Sequence, residues 1–260
     1  MRLMSLERDI KKTIEYAAKF GCQINKGEIE NRLISKNIFS KKQINDALNK
    51  FKLMNEKNHW ELTKNKKAKK LAKLIKSKFG NILFLGISGS VAAGHPKKND
   101  DIDIVLITLK NKLWITRFQL RWFIFINKIP HRKYGQKEKG NEFCFNLWLD
   151  EDFLKIPKSK KNLKNAVDLI LLIPLINKRK TYENFLIEND WAKKYVATGY
   201  DRKVSSIKYL VSNIKKENNI LVDKIVNWLM FWPQFLYMKK KIRNETVGLH
   251  QAFFHRPMIK

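Results

Sequence analysis

Acidic residues are scarce in this chain. Asp and Glu number 24 against 54 Lys and Arg in 260 residues, a formal charge of +30. Cysteine is nearly missing: Cys22 and Cys144 are the only two and lie far apart. That excludes a disulfide framework and a cysteine-based zinc set, and the setting expected is reducing and cytoplasmic. Proline (6) and glycine (10) are too few for a collagen-like or proline-rich chain. Long apolar runs are missing as well, since a membrane span needs about 20 apolar residues. Leu113–Ile129 is broken by Arg117, Arg121 and Lys128, and Ile225–Met238 is short and contains Pro233. The charged start, Met1–Asp9, has no apolar core of a secretory leader. A membrane partner is therefore not expected.

What is present is core-forming material: 44% of residues are hydrophobic and 12% aromatic, which excludes wholesale disorder. The basic excess suits a polyanion partner, either RNA or DNA or a nucleotide. Compositional drift toward Lys, Asn and Ile accounts for it equally. Lys outnumbers Arg 44 to 10, whereas a surface dedicated to phosphate favours Arg.

Periodicity divides the chain into three segments. In 1–78, apolar spacing predicts helices over Leu6–Phe20, Lys26–Ile34 and from Ser40 to Phe51, with Ser40 as a cap. A short strand-like run, Trp60–Thr63, follows, so the outline is that of a winged helix. A lysine-rich helix, Lys64–Lys78, reads as a solvated connector. In 79–155 the period changes: strands over Asn81–Ile87, Asp101–Thr108 and Asn141–Leu149 surround a helix over Leu113–Ile126, which is an α+β arrangement with a small mixed sheet. The rest, 156–260, reads as helical: Asn165–Lys180, Thr181–Val196 and Leu221–Lys241, with Trp228, Phe231, Trp232 and Phe235 as core and an irregular tail from Leu249.

The chemistry is concentrated in Gly89-Ser90-Val-Ala-Ala-Gly-His-Pro-Lys-Lys-Asn-Asp-Asp101-Ile-Asp103. A buried strand delivers a Gly-Ser turn, and a second strand then opens with Asp-x-Asp. Alternation puts Asp101 and Asp103 on one face, about 7 Å apart along the strand. Two neighbouring carboxylates need a cation, and Mg²⁺ takes one or two carboxylates together with phosphate oxygens. Gly89 allows close backbone approach and Ser90 offers a donor to phosphate. The parts suit a nucleoside triphosphate with Mg²⁺ or Mn²⁺. His95, Lys97 and Lys98 read as a solvated loop, Trp114 as packing and Cys144 as inert.

This arrangement, over roughly residues 80–150, resembles the DNA polymerase beta-like nucleotidyltransferase superfamily. The resemblance implies that Gly89 and Ser90 hold the triphosphate and that Asp101 and Asp103 bind the metals. It also implies a third carboxylate on a later strand, often the base. At that place stands Asn146, which can coordinate through its carbonyl but cannot take a proton. Glu142 and Asp150 share its face about 13 Å to either side, and Asp150 and Asp152 are the next acids in line. The expected activity is Mg²⁺-dependent transfer of a nucleoside monophosphate to RNA, protein or a small molecule, with Asp101, Asp103 and Asn146 as the catalytic set. The alternative is a nucleotide sensor that binds nucleic acid and carries a degenerate transferase domain.

Overall fold

Asn25 and Ser40 each open a helix with a reciprocal capping box. Asn25 Oδ1 accepts from Glu28 N (3.0 Å) while Glu28 Oε2 accepts from Asn25 N (2.9 Å). Ser40 and Gln43 do the same one helix later. The computed structural model describes residues 2–51, 53, 58–133, 136, 139–208, 221–243 and 245–254. It begins with α1 (Arg2–Ala18), α2 (Lys26–Arg32) and α3 (Lys41–Leu48). These bury their own cluster, including Leu6, Ile10, Ile29, Leu33, Ile44 and Leu48. Residues 54–57, which lead into the next helix, lie outside the described residues.

The strand expected at Trp60–Thr63 is not formed. Asn58 Oδ1 accepts from Trp60 N (2.9 Å), and this cap starts α4 (His59–Lys78) five residues before the lysine-rich run. The wing that would make the unit a winged helix is therefore absent among the described residues. Nor is α4 a solvated connector. Its Ala68, Leu71, Ala72 and Ile75 pack on the sheet, and buried Lys64 donates to Asp100 O (2.5 Å), fixing the loop that leads into the Asp-x-Asp strand.

The sheet is mixed and six-stranded, compatible with the α+β expectation. β1 (Ile82–Ile87) leads through α5 (Gly89–Ala92) to β2 (Ile102–Thr108), and α6 (Leu113–Ile126) carries the chain to β3 (Phe143–Asp150). α7 (Leu163–Leu171) precedes β4 (Ile173–Asn177). Then come α8 (Thr181–Ile187), α9 (Lys193–Lys208), α10 (Leu221–Lys239), β5 (Thr246–Val247) and β6 (Gln251–Phe253). The spatial order is β4-β1-β2-β3-β6-β5, with only β2 and β3 parallel.

Several expectations for the last segment change, and the helix expected over Thr181–Val196 is split between α8 and the start of α9. The apolar run after Asn165 is not one helix, because Pro174 disfavours helical backbone at Ile173 and forces the switch to β4. The tail from Leu249 is not irregular over its described part, to residue 254: β6 adds to β3 through Leu147–Phe253, Trp148–Ala252 and Leu149–Gln251, and residues 255–260 lie outside the described residues. Helices cover both faces. α4, α6 and α10 pack over Ile102, Ile104, Leu106 and Trp148. α7, α8 and α9 pack over Phe84, Val105, Ile107 and Leu149. The N-terminal helices dock on this second layer, where Gly199 of α9 lies so close to Asn31 O that a Cβ would collide with it. Among the described residues no helix is long and apolar enough to cross a membrane.

Candidate functional site

Alternation along β2 turns Ile102 and Ile104 into one core layer and leaves Asp101 and Asp103 on the opposite face. The Gly-Ser turn lies against them. Ser88 N donates to Asp103 O (2.9 Å), and Gly89 adopts φ +65°. A Cβ at Gly89 would strike the Asp103 carboxylate, so the turn reaches the acid only because residue 89 has no side chain. The structure thus brings Gly89, Ser90, Asp101, Asp103 and Asn146 to one place.

One carboxylate oxygen each of Asp101 and Asp103 and the Sγ of Cys144 lie within 4.8 Å of one another. Cys144 faces Asp103 across the parallel pair. Burial, reinforced by the Asp103 and Asp101 charges, pushes its thiol far up. The protonated thiol donates to Asn146 Oδ1 (2.8 Å), which turns the Asn146 amide Nδ2 onto Asp103 Oδ1. Asn146 thus presents a donor to the acid rather than a carbonyl to a cation. Burial, then the Asp101 charge, raises the Asp103 carboxyl well above the usual Asp range. Asp101 is held by Arg132 Nη1 at 2.7 Å.

The reserve acids do not reach the site. The register of β3 slips between Phe145 and Leu147, so Asn146 is the extra residue of a bulge. Beyond it the alternation reverses: Leu147 and Leu149 face α7, and Trp148 faces the other layer. Asp150 consequently leaves the Asp103 face. It pairs with Thr108 at the far end of β2 and accepts from Asn111 N (2.6 Å), with His250 Nδ1 at 3.1 Å. Asp152 is paired with Lys110 at 2.5 Å. Glu142 stops short of β3, and its carbonyl accepts from Ile102 N (2.8 Å).

A cavity of about 300 Å³ opens over the Gly-Ser turn and the Asp pair. Its lining mixes polar Ser90, His95, Lys97 and Lys164 with apolar Tyr16, Phe20, Val167 and Leu171. A smaller cavity of about 70 Å³ meets Gly89 and Asp103 from the side of Asn146 and Asn165. Asp168 of α7 lines both cavities, and Lys164 Nζ donates to its Oδ2 (2.8 Å). The sequence reading passed over this pair. Its signal was a charged i, i+4 couple inside a helix that is otherwise apolar. His95 is no free loop residue either: its Nε2 lies 3.1 Å from Glu28 Oε2, joining α2 to the segment between the two motif halves.

No family model, curated protein or solved structure matches this chain.

Proposed function

We propose that the chain is a divalent-metal-dependent nucleotidyltransferase, which transfers a nucleoside monophosphate from a nucleoside triphosphate to a hydroxyl acceptor and releases pyrophosphate. The observation that carries this reading is the close approach of the Gly89 turn to Asp103 beside Asp101, under a cavity that Lys97 and Lys164 also line. The donor set fits a hard cation. Two carboxylates converge, and burial makes the ionised form of Asp103 dependent on a positive partner. The thiol of Cys144 is protonated and committed to Asn146, so soft-metal thiolate ligation is a poor fit.

Asp101 and Asp103 would hold Mg²⁺ or Mn²⁺, which supplies neutralisation of charge on the triphosphate. The backbone at Gly89 and the Ser90 hydroxyl would hold phosphate oxygens, with Lys97 and Lys164 in the wall of the same cavity. The acceptor oxygen attacks the α-phosphorus, the bond from that phosphorus to the bridging oxygen breaks, and pyrophosphate leaves with the bonding pair. The acceptor proton passes to a carboxylate at the cavity, and Asp103 and Asp168 are the acids common to both hollows.

The test is calorimetry of Mg²⁺–nucleoside triphosphate with wild type and Asp103→Ala, followed by labelled-nucleotide incorporation. Loss of binding in the variant together with pyrophosphate release by wild type supports the reading, and equal affinity in the two proteins overturns it. A second reading, the non-catalytic nucleotide sensor, is favoured by one feature: Arg132 and the Asn146 amide already satisfy the two acids in part. Tight metal–nucleotide binding with no turnover on any acceptor pool selects it.

A further inference from the structure

Arginine is the rare cation of this chain, 10 against 44 Lys. Three of the ten, Arg117, Arg121 and Arg132, nevertheless line one hollow beside the first half of β3, ahead of Leu147 where β6 begins to pair. Cys144 and Asn146 form its inner wall, and Arg132 reaches from it to Asp101. Arg117 is fixed by Gln234 Oε1 of α10 (2.5 Å) and by stacking 5.2 Å from the Phe254 ring.

The hollow continues outward. Arg117, Arg121, His131 and Lys133 also line a groove of about 630 Å³ between α6 and α10. Its rim is aromatic and open: Trp122 is 59% exposed and Phe125 69%, and Tyr237 faces them from α10. Trp228 and Trp232 of α10, expected as core, are half exposed on the same helix. Inward, Asn146 is shared with the small cavity that holds Asp103 and Gly89. Shared walls thus relate an aromatic surface groove to Asp103: four residues are common to the groove and the arginine-lined hollow, and Asn146 is common to that hollow and the small cavity.

We propose that this groove is the acceptor track, which binds a single-stranded polynucleotide and brings its terminal hydroxyl past Asn146 to Asp103. Bases stack on exposed aromatic faces, and phosphates take planar, bidentate guanidinium donors in preference to ammonium groups. Both chemistries occur here along one groove. A lipid surface fits less well, because Arg117 is buried and Arg121 half-buried while Trp122 and Phe125 stand exposed. Delivery to Asp103 rests on the transferase reading; strand binding does not.

The experiment is fluorescence anisotropy of labelled oligoadenylate and oligodeoxyadenylate, about 20 nucleotides each, with the full chain at several salt concentrations. Wild type should bind a single strand with affinity that falls steeply with salt. Arg121→Ala and Trp122→Ala should each weaken binding about tenfold, while leaving the melting temperature and the calorimetric affinity for Mg²⁺–nucleoside triphosphate unchanged. Comparison of the two oligomers reads the sugar preference of the same track. Asp103→Ala should keep strand binding, so failure of the transferase reading and failure of the groove give different results. The proposal is overturned if both variants bind strand as wild type does. It is equally overturned if they lose only binding to anionic phosphatidylserine vesicles, or only self-association by sedimentation.

Discussion

Asn146 donates its side-chain amide to the Asp103 carboxylate from the neighbouring parallel strand, at a bulge that its own extra residue creates. The amide compensates the buried acid without adding charge, which an acidic side chain at 146 could not do. Burial and the Asp101 charge still hold the Asp103 carboxyl well above the usual Asp range, so the amide eases the acid's burial while its full ionisation waits for a cation.

Asn146→Asp should reverse that balance. Replacing the donor by a third acid beside Asp101 and Asp103 should lower stability by about 1–3 kcal/mol in the presence of a chelator. Added Mg²⁺ should restore most of the loss, and Mg²⁺ should bind at least about tenfold more tightly than to wild type. Melting curves with chelator and with Mg²⁺ read both effects. A variant equally destabilised with and without metal would show that residue 146 does not face a cation site.

Gly89 offers a cleaner probe of the turn. Ala at this position meets a left-handed backbone conformation and collides with the Asp103 carboxylate. Gly89→Ala should cost at least about 2 kcal/mol. Gly80→Ala has open space around its Cβ and should stay within about 0.5 kcal/mol of wild type. Denaturant unfolding of the two variants side by side makes the comparison.

The features legible in the sequence were those with local causes. The Gly-Ser turn, the Asp-x-Asp strand, the Ser40 cap and α6 follow from periodicity and capping chemistry, and all form where expected. What escaped depends on distant partners. The bulge at Asn146 moves Asp150 off the Asp103 face, and no alternation rule applied to β3 alone reveals it. Trp60–Thr63 has strand-like composition, yet the Asn58 cap and the face of α4 that packs on the sheet make it helical. Asp168 approaches Asp103 only because α7 lies across β2, a tertiary fact that one helix's sequence does not carry.

Asp168 can be tested apart from nucleotide binding. It lines both cavities and is held by Lys164, but it is not among the clustered metal donors. Asp168→Asn should leave the Mg²⁺–nucleotide affinity within about twofold and lower incorporation by about 10²-fold or more, as loss of a proton-accepting group does. The activity of Asp168→Glu should lie between the two. A drop in affinity as large as the drop in rate would assign Asp168 to binding instead.

The last prediction concerns Glu28, which ties the N-terminal helices to the segment between the two motif halves. Its carboxylate accepts from Asn25 N, meets His95 Nε2 at 3.1 Å and is 2.9 Å from Arg32. Burial alone would raise its pKa. The hydrogen bonds from His95 and Asn25 and the charge of Arg32 outweigh burial and hold it below the ordinary Glu range. A carboxyl lowered on folding stabilises the protein above its unfolded pKa, and that stabilisation is lost as pH falls through the lowered folded value. The loss should therefore begin near pH 4.3, the ordinary Glu value, and continue below it. Glu28→Gln should be less stable than wild type by about 1–3 kcal/mol at pH 7, and the gap should narrow under acid. Because α1 and the turn after it supply Tyr16 and Phe20 to the cavity wall, the same variant should also bind Mg²⁺–nucleoside triphosphate more weakly at pH 7. Melting curves from pH 3 to 7 with calorimetry at pH 7 check both. A gap that stays constant with pH would mean that the Glu28 charge contributes nothing and that only its shape matters.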